Sequence, residues 1–163
     1  MDIHSTWRST CGTYTARIDQ RCFEAISQVA RKHYPNEVGT SLAGTYSDDG
    51  STADVTQMVP LTSDSRGGRA NFVRGTAGLA EFFSRLFRTS RGLTHYVGDW
   101  HSHPNGAPIP STTDWQTTRD FACNPMARCP ECLLIVVSVT PLQVDLGVYV
   151  YSAARGQVIL RQV

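Results

Sequence analysis

"LLIVVSVT", residues 133–140, is the stretch that most limits how this chain can fold. It offers no polar side chain before Ser138, so neither face of the segment suits water. A short continuous apolar run of this kind reads as a strand buried on both sides, which needs covering elements above and below it. The rest of the sequence supplies both kinds. "TYTARID" (13–19) alternates as a strand does, and in "QRCFEAISQVARKHY" Phe23, Ile26, Ala30 and His33 recur at helical spacing. That helix should stop before Pro35, because the residue preceding a proline is pushed toward extended geometry.

"EVGTSLAGTYS" and "TADVTQMVPL" read as strands joined around the turn signal "SDDG". Residues 62–71 read as loop, and Leu79, Phe82, Phe83 and Leu86 give a second helix its apolar face. "LTHYVGDWHSH" is a long strand, a helix runs from Ser111 to about Cys123, and "QVDLGVYVYS" and "QVILRQV" close the chain as strands. Strands and helices mixed without a regular βα alternation predict an α+β fold: a mixed β-sheet flanked by helices.

With 163 residues, 40% hydrophobic and 18% charged, the chain is long and apolar enough for one globular domain and not for a disordered one. A net charge of +1 argues against a general nucleic-acid binder, and no apolar run approaches the roughly 20 residues needed to span a bilayer. The opening "MDIHSTWRSTCG" is polar and lacks signal-peptide character, so the expected compartment is the cytoplasm. There the five cysteines, an odd number without framework spacing, should stay reduced.

Chemistry concentrates in "VGDWHSHPNGAPIPSTTDW", residues 97–115. Residues two apart on a strand share a face, so His101 and His103 project together within reach of one ion. A lone His-x-His is weak evidence, but three prolines (Pro104, Pro108, Pro110) stiffen the loop after it. Ser111 then sits at a helix N-cap with Asp114 three residues on, on the same turn. Two imidazoles and one carboxylate with an open fourth position form a catalytic zinc donor set. Zinc with a single anionic ligand keeps a net positive charge, which lowers the pKa of a bound water to about 7.

The run "HSHPNGAPIPSTTD", together with "EVGTSLAG" (37–44) upstream, resembles the JAB1/MPN/Mov34 (JAMM) zinc metalloproteases over roughly residues 12–151. The resemblance implies one metalloprotease domain over 1–163, with residues 1–11 as an N-terminal extension, and the cytidine-deaminase-like MPN/JAB sheet. It implies zinc on His101, His103 and Asp114, Glu37 as the proton-carrying carboxylate, and Ser111 as a donor to the oxyanion. The implied activity is hydrolysis of the bond after the C-terminus of a ubiquitin-like protein or its conjugate. The likeness is to small prokaryotic enzymes, some of which act beside E1- and E2-like proteins in antiviral operons and others on sulfur carriers. A non-catalytic MPN scaffold and a RadC-like DNA-associated role are the alternatives. Five retained motif residues count against the first, and near-neutral charge against the second.

Three further features have weaker meaning. "CPEC" (129–132) with Cys123 is half of a zinc knuckle or a redox pair, against ordinary buried thiols. Arg66, Arg69, Arg74, Arg85, Arg88 and Arg91 crowd the middle of the chain, as a docking face or a solvated one, and in the family the segment there orders around a substrate tail by strand addition. His4, His33 and His95 lack motif partners.

Overall fold

The computed structural model describes residues 1–163. Its strands and helices run β1 (Ile3–Ser9), β2 (Thr15–Asp19), α1 (Gln20–His33), β3 (Gly39–Tyr46) and β4 (Thr52–Met58). A short hairpin comes next, β5 (Arg66–Gly67) and β6 (Phe72–Val73), then α2 (Leu79–Thr89) and β7 (His95–Pro104). The last elements are α3 (Thr112–Cys123), a single 3-10 turn (Pro125–Ala127), β8 (Glu131–Val139), β9 (Val144–Ser152) and β10 (Gly156–Gln162).

Strand β8 carries the stretch 133–139 and is buried on both faces, as its composition requires. Leu133, Ile135, Val137 and Val139 join one apolar cluster with Cys22, Ile26 and Ala30 of α1. Leu134 and Val136 point the other way, pack with Tyr149 of β9, and are covered by Trp115 of α3. Each fully buried aliphatic side chain of this set contributes about 1.5–3 kcal/mol relative to exposure. Two helices therefore cover the two faces of one strand. α1 starts where the Asp19 carboxylate accepts from the Arg21 N–H at 2.9 Å, and its residues 22, 26 and 30 form the buried stripe.

The sheet is mixed, as expected: β2 pairs with β4 and β7 with β8 in parallel, and every other pairing is antiparallel. Sequence patterning did not foresee that it closes into a barrel, in the order β1-β10-β9-β8-β7-β3-β4-β2. Residues 3–9, expected to belong to an N-terminal extension, form the strand that completes the closure, with Trp7 opposite Gln162 on one side and Ala16 on the other. The hairpin β5–β6 stands apart from the barrel; β5 lies within residues 62–71, expected to be loop, and β6 just beyond them. α2 buries no residue fully; Phe83 meets Tyr96 edge-on at 5.8 Å between ring centroids.

All five cysteines are free thiols. Cys129 and Cys132 are buried with Ala122 among Tyr46, Tyr96, Phe121 and Tyr151, so "CPEC" is a piece of apolar packing with no third metal donor beside it. Burial pushes the Cys22 thiol up to about 12. Cys11 is exposed in the turn after β1, where hydrogen bonds to the Ser9 and Thr13 hydroxyls bring it down to about 7.

Strands β3 and β7 lie unusually close where Gly39 faces His101. A Cβ on Gly39 would stand 2.2 Å from the Trp100 carbonyl oxygen and 2.8 Å from the His101 Cβ. Glycine is therefore required by the spacing of the two strands rather than by a turn. Gly39→Ala should prise β3 from β7 and cost about 1–3 kcal/mol, read as a lowered midpoint in urea unfolding. In a thiol-labelling experiment followed by mass spectrometry, Cys11 should alkylate with half-maximal rate near pH 7, since reactivity tracks the thiolate. Cys22, Cys129 and Cys132 should remain unlabelled until the chain unfolds.

Candidate metal centre

Alternation along β7 sorts its side chains. Trp100 joins the barrel's apolar core, and Ser102 is fully buried, whereas Asp99, His101 and His103 line an open cleft of about 930 Å³. Its other walls are the hairpin segment 69–74 and the first turns of α3. The cleft holds all five residues singled out from the sequence: Glu37, His101, His103, Ser111 and Asp114.

The two imidazoles face each other, Nε2 to Nε2 at 3.1 Å. His103 Nδ1 lies 3.2 Å from the Ala107 carbonyl oxygen. A carbonyl only accepts, so the proton of a neutral His103 ring belongs on Nδ1 and the Nε2 lone pair points into the cleft. Asp114 reaches the same spot from α3, with Oδ1 3.3 Å from His101 Nε2 and Oδ2 3.6 Å from His103 Nε2. These ligand atoms lie within 4.8 Å of one another, and they are the one group of three His, Cys, Asp or Glu donors so clustered.

That donor set fits a divalent cation. Lone pairs converging at hydrogen-bond distance beside a carboxylate repel one another unless a proton or a metal ion sits among them. Donation from the ring to the Asp114 carboxylate, working against burial, raises His103. Burial alone would raise Asp114, but hydrogen bonds from His101 and His103 outweigh it and hold the carboxyl well below the usual range.

Three local devices fix these ligands. Ser111 caps α3 reciprocally: its Oγ accepts from the Asp114 N–H at 3.2 Å, while Asp114 Oδ2 accepts from the Ser111 N–H and hydroxyl, both at 2.7 Å. Such a cap contributes about 1 kcal/mol and holds Asp114 through Oδ2, leaving Oδ1 for an ion. The proline-rich loop is tied down where Tyr149 donates to the Pro108 carbonyl at 2.7 Å and Ser138 to that of Gly106 at 2.7 Å. Finally, Ser102 binds the Val38 peptide from both ends, its N–H donating to the Val38 carbonyl at 2.8 Å and its Oγ accepting from the Val38 N–H at 3.0 Å.

This last contact places Glu37, the neighbour of Val38. Its carboxylate makes no hydrogen bond within the chain and faces the cleft; burial raises its pKa, with His103 and His101 pulling the other way. Ser102 was not among the residues singled out from the sequence. The signal was present, since the residue between two cleft-facing histidines must point into the barrel, and a serine there needs a partner. Asp99 and Arg74 were also missed as a pair; their atoms meet at 2.5 Å in the cleft wall.

The arrangement has known relatives. The family described as prokaryotic homologs of the JAB domain matches residues 19–148. A protein of Enterobacter hormaechei subsp. hoffmannii named CD-NTase/cGAS isopeptidase is 35% identical over 159 residues, covering 96% of this chain and 84% of the relative. A probable metalloprotease, y4qB, of Sinorhizobium fredii is 30% identical over 125 residues, 76% of each. Among solved structures, a Desulfitobacterium hafniense protein, DSY2949, superposes with a TM-score of 0.58 at 18% identity, over 90% of this chain and 88% of that one. A Salinibacter ruber protein does so with a TM-score of 0.51 at 21% identity, over 90% and 87%. These two likenesses speak to the fold alone. The sequence match spans most of the chain and includes every residue of the candidate site, and the chain belongs to the prokaryotic JAB-domain family.

Proposed function

We propose that this chain is a zinc-dependent isopeptidase that releases a ubiquitin-like protein, or a protein handled as one, from its conjugates. The observation that carries the reading is the convergence of His101, His103 and Asp114 on one point, with the unpartnered Glu37 carboxylate facing the same cleft. The names of the two relatives, an isopeptidase and a probable metalloprotease, support the reaction class. The first name also suggests the substrate, a conjugate of a CD-NTase; E1- and E2-like partners, an antiviral role and a cytoplasmic location rest on the resemblance drawn from the sequence. No helix is long and apolar enough to cross a membrane.

His101, His103 and Asp114 Oδ1 would hold the ion, which when bound supplies Lewis acidity toward both the scissile carbonyl and the attacking water. The chain's own groups do the rest. The Glu37 carboxylate accepts a proton from the water as its oxygen attacks the carbonyl carbon. Its raised pKa suits it to keep that proton briefly and to deliver it to the amine as the C–N bond breaks. Without that delivery the amine would depart as an anion, a very poor leaving group. The Ser111 hydroxyl, held at the head of α3, turns from Asp114 Oδ2 to donate to the oxygen that gains charge. Partial burial of Glu37 and the ligands lowers the local dielectric and strengthens each of these interactions.

Two reporter fusions test the reading, one joining a ubiquitin-like protein and one a CD-NTase through its C-terminus to a fluorescent protein. Wild type should cut at least one, with mass spectrometry locating the bond. Glu37→Ala should keep one zinc per chain yet lose roughly 10²–10⁴-fold in rate. His101→Ala should lose the metal and cleavage together. Normal turnover by Glu37→Ala would remove Glu37 from the proton-transfer role.

A further inference from the structure

The hairpin β5–β6 and its flanks form one wall of the cleft, and most of this segment is exposed. Its base is stapled within itself: the Gly75 N–H donates to Ser65 Oγ at 2.9 Å. The Thr76 and Ala77 N–H groups donate to the Asp64 carboxylate at 3.0 and 3.1 Å. These bonds close the loop on itself but do not fix it to the barrel.

Two contacts do that. On the inner leg, the Glu37 N–H donates to the Gly68 carbonyl at 2.7 Å. The approach is so close that a Cβ on Gly67 would stand 2.0 Å from the Glu37 carbonyl oxygen. On the outer leg, Arg74 Nη1 donates to Asp99 Oδ1 at 2.5 Å and to Ser41 Oγ at 2.6 Å, and the guanidinium carbon lies 4.6 Å from the centre of the Phe121 ring. Asp99 is itself held from below by the Tyr96 hydroxyl at 2.9 Å. Arg66 and Arg69 are exposed, and neither pairs with a carboxylate. Arg74 thus joins three elements, β3 through Ser41, β7 through Asp99 and α3 through Phe121.

We infer that Arg74 is the latch that holds the hairpin over the cleft before substrate arrives, and so a positioning residue for substrate. A planar guanidinium meets a carboxylate, a hydroxyl and a ring face at once, which a lysine ammonium does not. A wall fixed in advance spares the substrate's tail the entropy of ordering it. The kinetic part of this inference rests on the peptidase reading; the order of the hairpin does not.

The test uses the full chain with Arg74→Met, Arg74→Lys, and the double change Arg74→Met with Asp99→Asn. The double variant removes the half-buried carboxylate charge that a lone Arg74→Met would strand, so it keeps the question answerable if that single variant does not fold. Hydrogen exchange of strand β8 reports whether the barrel is intact. With the barrel intact, exchange across 66–73 and trypsin cleavage after Arg66 and Arg69 should each rise roughly tenfold in both methionine variants, and less in Arg74→Lys. On the reporter fusion that wild type cuts, KM should rise roughly tenfold while kcat stays within about threefold. Wild-type exchange in a folded methionine variant overturns the latch. Faster exchange with unchanged KM overturns the positioning role. If wild type cuts neither fusion, the peptidase reading falls alone, and exchange and trypsin still decide the latch.

Discussion

The seam between β3 and β7 is the constraint on which the rest of the site depends. Gly39 opposite His101 lets the two backbones approach to a distance that no side chain would permit. Next to that pair, Ser102 grips the Val38 peptide at both its N–H and its carbonyl. One short stretch of sheet therefore positions Glu37 against His101 and His103 using backbone geometry, without a single bond to the Glu37 carboxylate. That carboxylate keeps its lone pairs free, which a proton carrier needs and which a conventional salt bridge would have denied it.

The same economy appears across the cleft. Asp114 divides its two oxygens between tasks, Oδ2 to the N-terminus of α3 and Oδ1 toward the imidazoles. Ser111 shares a bond with that carboxylate and can release it, because the backbone half of the cap remains. Where neutral imidazole lone pairs converge at 3.1 Å, the site is costly to leave without a cation. A cleft built on barrel strands and the first turn of a helix keeps that cost concentrated at one point, because neither element relaxes readily to relieve it.

How much of this the sequence disclosed depended on whether the cause was local. Period-two alternation placed His101 and His103 on one face, and cap spacing placed Ser111 and Asp114 on one turn; both were legible because strand and helix geometry fix neighbours two and three residues apart. The run at 133–140 was legible as a doubly buried strand for the same reason. Barrel closure was not, because β1 meets β10 only across the length of the chain and nothing in "IHSTWRS" signals its partner. The hairpin at 66–73 escaped notice because its two strands are too short to show any period. Ser102, Asp99 and Arg74 matter through partners 64, 25 and 33 residues away, and such pairings exist only once the fold does. Glu37 lay between these cases: the "EVG" spacing resembled a family motif, and the structural reason for its glycine lies in the neighbouring strand.

The arginines of the middle region show the same division. Composition alone offered two readings for all six, a docking face or a solvated one. The fold separates one from the rest: Arg74 reaches a half-buried carboxylate, whereas Arg66 and Arg69, on the same hairpin, meet backbone carbonyls or solvent. A charge that is desolvated on both sides is costly unless its partner is fixed, and Asp99 is fixed by Tyr96 beneath it and by its place on β7, two residues before His101. The strand that presents His101 and His103 therefore also anchors the cleft wall. That wall touches β7 two residues before His101, through Arg74 and Asp99, and meets the peptide of Glu37 through the Gly68 carbonyl.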